Sequence, residues 1–275
     1  MRSVKCIVAA GAATLLSSIA LAGDMPSIAA PPMYAAPQIE DFGGWYLRGD
    51  IGFSNQHVDR LNNLLDVNNT SSDQRLGSNK AGIFGLGVGY KLNNWFRVDA
   101  TGEYRGNSQF SGTDHITFSG GVGTDTYHAT KSEWVALANA YLDLGTWWSM
   151  TPFVGAGVGA ARVSIANFTD ERIANNGGTV LPSLAFGDNV AKWNLAWALH
   201  AGVAYNFSPN FTVQLAYRYL NMGDGLTGDL RTFDGTNIIV NPTTFKNISS
   251  QDLMLGVRWN LTTPPMDEPP LIRKG

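Results

Sequence analysis

Between Trp193 and Leu220 the sequence alternates with a period of two, and few chain geometries accommodate that over such a length. Trp193, Leu195, Trp197, Leu199, Ala201, Val203, Tyr205 and Phe207 fall on one face of the first run; Asn194, Ala196, Ala198, His200, Gly202, Ala204 and Asn206 fall on the other. A turn, Ser208-Pro209-Asn210, leads to a second run that sets Phe211, Val213, Leu215, Tyr217 and Tyr219 against Thr212, Gln214, Ala216, Arg218 and Leu220. Successive side chains of a strand point to opposite sides, so the pattern predicts a β-hairpin. Its apolar face is bulky, with aromatics near both ends, while the opposite face is small or polar. That is the reverse of a soluble barrel with an oily interior. It fits strands with lipid outside and packed polar groups or water inside.

The alternation recurs along the chain. A first strand, Gly44 to Ser54, turns Trp45, Leu47, Ile51 and Phe53 to one side and Tyr46, Arg48, Asp50 and Gly52 to the other. Further strands are expected at Lys80 to Leu92, Trp95 to about Phe110, about Thr130 to Leu144, Thr151 to about Ile165, and Ser250 to Leu261. The fourth is the least regular, because Val135 and Leu137 share a face with Lys131, Glu133, Asn139, Tyr141 and Asp143. With the hairpin this makes eight strands, each able to cross a bilayer at a tilt. The connections alternate: short turns on one rim, and on the other long stretches at 55–79, 111–129, 167–191 and 221–249. The predicted fold is therefore all-β: an eight-stranded antiparallel transmembrane β-barrel with short periplasmic turns, long extracellular loops and both termini in the periplasm. Lipid offers no partner to an open sheet edge, so the first and eighth strands must pair. Tyr90, Trp95, Trp147, Trp148, Phe153, Phe207 and Phe211 gather near the short rim and are expected to form an interfacial aromatic girdle.

The ends read differently from the barrel, taken as 44–261. Residues 1–22 combine Arg2 and Lys5, an apolar stretch from Ile7 to Leu21, and Ala20-Leu21-Ala22 before Gly23, the pattern of a secretory signal peptide. Residues 23–43, rich in Pro and Ala, are expected to be a periplasmic linker, and 262–275 a Pro-rich periplasmic tail. The one cysteine, Cys6, lies in the signal, so the exported chain has no disulfide and no thiol nucleophile. Losing Arg2 and Lys5 from 19 basic residues leaves 17 against 22 acidic ones, an acidic balance that excludes a nucleic-acid-binding role.

The opening GGWYLRGDIGFS, the eight-strand layout and the linker after the signal resemble the small surface-antigen porins of alphaproteobacteria, within the broader group of OmpA-transmembrane-domain and opacity proteins. The resemblance covers Trp45 to Leu261. It implies an integral protein of the bacterial outer membrane, a surface antigen or porin-like protein, inserted by the barrel-assembly machinery.

Chemistry-bearing residues fall inside the expected barrel and on its loops. Arg48, Asp50, Arg97, Asp99, Glu103, Arg105, Glu133, Asp143, Arg218, Asp252 and Arg258 all fall on lumen faces. An eight-stranded barrel is narrow enough for side chains to fill it, and isolated charges there are costly, so opposite signs should pair into a plug. The same charges would set the selectivity of a narrow pore if water ran between them. The glycines of Gly85-x-Gly87-x-Gly89 and Gly155-x-Gly157-x-Gly159 are spaced by two with no helix following; they make room for bulky lumen residues rather than cradle phosphate. His57, His115 and His128 lie in expected loops and His200 in the lumen, with no metal-ligand spacing among them. No Ser/His/carboxylate set has triad geometry, and no cofactor or metal site is expected. The four long stretches hold 11 acidic against 5 basic residues, so the outer mouth should be negative. Leu61, Leu64 and Leu65 suggest a short helix between Asp59 and Val67 that folds over the mouth. The expected role is non-catalytic, in envelope structure and surface exposure. The alternatives are a narrow porin and a loop-mediated adhesin or hemin-binding surface protein. Expected partners are outer-membrane lipid and lipopolysaccharide, the assembly machinery, and a host or envelope ligand at the loops.

Overall fold

The computed structural model describes residues 43–237 and 239–261. The expected signal, the linker up to residue 42 and the tail lie outside the described residues. Eight strands form one antiparallel ring: β1 (Gly44–His57), β2 (Ala81–Lys91), β3 (Phe96–Phe118), β4 (Gly121–Asp143), β5 (Met150–Asn176), β6 (Val190–Ser208), β7 (Phe211–Asn221) and β8 (Ser249–Asn260). Each pairs with its neighbour in the chain. Pairing of β1 with β8, from Tyr46↔Asn260 to His57↔Ser249, closes the ring and leaves no edge in the hydrocarbon. Along β1, Trp45, Leu47, Ile51 and Phe53 face outward while Tyr46, Arg48, Asp50 and Ser54 are buried inside. Outward side chains such as Leu86 (75 % exposed) and Leu195 (73 %) form a continuous apolar band that only lipid can cover.

Two of the expected long loops are not loops. Strands β3 and β4 run 23 residues each and β5 runs 27, well beyond the ~9–11 that span a bilayer. Stretch 111–129 is thus the upper half of the β3–β4 hairpin, turning at 119–120. Stretch 167–191 continues β5 and returns as the strand Thr179–Gly187, paired to it from Phe168↔Gly187 to Asn176↔Thr179. The alternation does not stop there; it loses its hydrophobic contrast. Above the membrane the outward positions of β3 are Ser111, Thr113, His115 and Thr117, against Phe110, Gly112, Asp114 and Ile116 inside. Water replaces lipid on the outer face, so polar side chains suit it.

The first extracellular stretch adds the strand Asn69–Ser78 alongside β3. In place of the expected helix between Asp59 and Val67 stands one 3₁₀ turn, Leu64–Asn68, closed by a capping box between Asn63 and Asp66. The fourth adds Leu230–Thr232, which pairs with Thr179–Gly187. These pieces build a β-structured collar on the barrel. Arg60–Asn62, Thr244–Lys246 and Gly225–Leu226 make a separate three-stranded sheet that joins the first and fourth stretches, with Leu61 opposite Phe245. Phe245 is fully buried and its ring packs against Phe110 (centroids 4.9 Å apart) and Phe168 (5.9 Å). Together with Val135, Leu137, Val163, Ile165, Leu220 and Ile248 these rings form an apolar core inside the outer end of the ring.

Phe153 corrects the expected girdle. It is 2 % exposed and points into the lumen, where its ring meets Tyr141 edge-on at 5.8 Å. Parity dictates this: Thr151 and Phe153 face in, so Val154 faces out. The other six expected girdle residues face outward or lie exposed at the short rim, Trp148 most of all at 91 %.

Candidate functional site

The lumen side chains stack in layers whose order follows from the strand registers. Nearest the short turns, Arg97 of β3 donates from Nε to Asp143 Oδ1 of β4 (3.1 Å). Its guanidinium lies over the Tyr141 ring (4.0 Å to the centroid) and the Phe153 ring (4.8 Å), and its two terminal nitrogens have no hydrogen-bond partner among the described residues. Cation–π contact with two desolvated rings replaces the missing acceptors. Arg258 of β8 makes no ion pair among the described residues and sits over the Tyr46 ring at 5.8 Å.

One layer up, Arg48 donates to Asp50 (2.6 Å), Asp99 (3.0 Å) and the Tyr141 hydroxyl (2.6 Å). Asp99 also accepts from Tyr46 (3.0 Å) and Asn139 (2.8 Å), and His200 lies 3.2 Å from the same asparagine. The next layer is a two-arginine, two-carboxylate cluster. Arg218 grips Glu103 through both terminal nitrogens (2.5 and 2.7 Å) and Asp252 through Nε and Nη2 (3.0 and 2.8 Å). Arg105 donates to both oxygens of Asp252 (2.9 and 2.7 Å) and to Ser54 and Ser250. Such bidentate forks are the strongest ion-pair geometry available to a guanidinium. Above them Glu133 accepts from Lys131 (2.8 Å) and Gln56 (2.9 Å), with Arg105 Nε at 3.7 Å.

All eleven lumen charges named from the sequence are buried in this stack, and ten of them stand in ion pairs. Lys131 is the member that sequence reading left out of the set, although its parity matches Glu133. Counting it, six cations face six anions. Tyr46 and Tyr141 fit because glycines oppose them: a Cβ on Gly89 would overlap the Tyr46 ring, and one on Gly155 the Tyr141 ring.

A second polar group lines the inside of the collar. Asp114 accepts from Ser72 (2.9 and 2.8 Å) and Gln74 (3.1 Å); Arg172 forks onto Asp125 (2.6 and 2.8 Å). Hydrogen bonding by Asp125 pushes the Arg172 pKa up, while burial and then Asp125 push the Tyr127 phenol up. Asp170 is 9 % exposed and its Oδ1 has no partner among the described residues. Burial, and then the Asp125 charge, push its carboxyl up to about 7. His57, His115 and His128 are exposed on strands, with His115 Nδ1 3.0 Å from the Thr124 hydroxyl. Among the described residues no three His, Cys, Asp or Glu side chains are arranged to hold a metal ion.

A closed antiparallel ring with an apolar outer belt and a polar, filled interior defines the class of outer-membrane β-barrels. The chain belongs to the family described as outer membrane protein beta-barrel domain, whose profile matches residues 21–260. It is therefore a protein of the bacterial outer membrane. An uncharacterized protein of Brucella abortus is 29 % identical over 80 % of this chain and 82 % of its own length. The outer membrane protein PagN of Salmonella typhimurium is 27 % identical over 78 % of this chain and 89 % of that one. A Rickettsia bellii protein provisionally named an adhesin is 27 % identical over 79 % and 88 %.

Proposed function

We propose that this protein is a closed, non-catalytic barrel that holds a folded extracellular collar at the cell surface, and that contact made by the collar is its role. The observation that carries this reading is the complete burial of Arg105, Lys131 and Glu133 in mid-lumen. Side chains that water cannot reach do not line a water path, and the apolar layer around Phe245 lies beyond them. The lumen charges then act as a structural plug, and a narrow porin is disfavoured. The kind of contact favoured by the paired strands of the collar and by the name of the Rickettsia relative is adhesion.

Single-channel recording tests the plug. The refolded protein in a planar bilayer, with folding checked by heat-dependent gel mobility, is expected to be silent; reproducible ion-selective steps would overturn the reading. Replacing 111–129 and 167–189 by short turns tests the collar. Cells carrying the trimmed barrel should lose attachment to host cells or matrix that the full protein confers.

A further inference from the structure

The lipid-facing surface of β3–β5 is not uniform. Arg162 of β5 projects outward, exposed, between Ala161 and Val163, which are fully buried inside. Its cross-strand neighbours are Trp134 on β4 and Trp193 on β6, and the Tyr104 ring of β3 packs tilted against Trp134 with centroids 4.9 Å apart. Arg162 makes no hydrogen bond or ion pair with any described residue. Directly above it in register, Ser132 and Ser164 face each other on the same outer surface. Below it, Trp134, Trp193, Arg162, Gly102 and Ala136 bound a hollow of about 260 Å³ on the lipid side. Gly102 contributes open space, since among the described residues beyond its chain neighbours nothing lies within 4 Å of where its Cβ would be. Two residues below the Gly102–Ala136 pair, Ala100 and Ala138 join Ala140 and Ala156 in lining a larger hollow of about 640 Å³.

Depth fixes what can meet Arg162. From Met150 at the periplasmic rim to Arg162 is 12 residues along β5. At ~3.3 Å per residue and a tilt of about 40°, that is roughly 30 Å, the thickness of the hydrocarbon. The guanidinium therefore sits at the outer interface, where the flanking tryptophans belong and where the cost of an exposed cation is lowest. A guanidinium there meets the headgroups of the outer leaflet. In a lipopolysaccharide outer leaflet those are the phosphorylated glucosamines of lipid A, and a phosphate matches the planar fork of arginine better than any other lipid group.

We propose that Arg162, with the Ser132 and Ser164 hydroxyls, binds a phosphate of lipid A, and that one acyl chain of the same molecule lies in the Gly/Ala-floored hollow between the tryptophans. Charge complementarity selects the occupant: Arg162 is a cation at headgroup depth with no partner among the described residues, and a phosphate is the anionic group found there.

Native mass spectrometry of the full mature chain in zwitterionic detergent, titrated with diphosphoryl lipid A, tests the site. Arg162→Gln is expected to lower the retained lipid A about tenfold or more, the effect of losing charge-assisted bonds to one phosphate. Arg75→Gln, which alters an exposed arginine on the collar, should leave retention unchanged. The Ser132→Ala, Ser164→Ala double variant should give a smaller loss and keeps the test open should Arg162→Gln refold poorly. Equal retention by Arg162→Gln and the parent overturns the proposal. So does equal retention of dephosphorylated lipid A, or retention of phosphatidylglycerol as strongly as lipid A, which would make Arg162 a generic interfacial anchor.

Discussion

Replacing Arg218 by Met keeps most of the side-chain length and removes four charge-assisted hydrogen bonds from the middle of the barrel. The two carboxylates it serves do not suffer equally. Asp252 keeps the Arg105 fork at 2.9 and 2.7 Å. Glu103 loses both of its hydrogen bonds and stays buried, 3 % exposed. An uncompensated buried charge costs about 3–5 kcal/mol, so the substitution should destabilise the barrel by roughly that amount. Glu103→Met alone leaves Arg218 on Asp252 and should cost less. The double variant Glu103→Met, Arg218→Met removes the stranded carboxylate altogether and should be more stable than Arg218→Met alone, a non-additivity on the order of 2 kcal/mol. Urea unfolding in lipid vesicles, followed by tryptophan fluorescence, measures all four corners of this cycle. The reasoning fails if Arg218→Met lies within about 1 kcal/mol of the parent, or if the two single changes add in the double variant.

Phe153→Ala should cost about 3–5 kcal/mol by the same assay, because the ring fills lumen space against Arg97 and Tyr141, while Phe207→Ala on the lipid face should cost far less. In the collar, the Asp170 carboxyl titrates near 7 when folded but near the usual carboxylate value when unfolded, so the folded form holds the extra proton between these limits. Collar stability should therefore fall as pH rises from about 4 through 7, and Asp170→Asn should flatten that dependence in hydrogen exchange of 166–187. Chymotrypsin on intact cells should cut after Phe233, 82 % exposed on the fourth extracellular stretch, and spare Trp148 on the periplasmic turn.

Parity made the membrane-embedded half of the molecule legible. Lipid forces every second residue to be apolar, so Trp45, Leu47, Ile51 and Phe53 declare their face, and Arg48 and Asp50 take the other. Phe153 was misplaced because it was grouped by its nearness to the Trp147–Trp148 turn instead of by its parity with Thr151. The collar was hidden for a different reason: with water outside, Ser111, Thr113, His115 and Thr117 carry no hydrophobic signal, and strand reads as loop. Pairing within the lumen was beyond reach. Arg218 and Glu103 are 115 residues apart and meet only because the closed ring sets their strands opposite each other. The role of Tyr141 and Phe153 as the surroundings of Arg97 likewise depends on which strands are neighbours.

The β3–β4 hairpin above the membrane also limits how the exposed sequence can diverge. A segment of loop can gain or lose one residue and close again, but here each residue from Phe110 to Phe118 is matched to one between Gly121 and Ala129. A single insertion would swing Asp114 outward and a threonine inward. Length changes that keep this register are thus confined to the turn at 119–120, to simultaneous additions on both arms in steps of two, or to bulges of the kind between His128 and Thr130. Outward positions such as Ser111, Thr113 and His115 carry no such constraint. Under immune or phage pressure the surface would change its texture while its height and outline persisted.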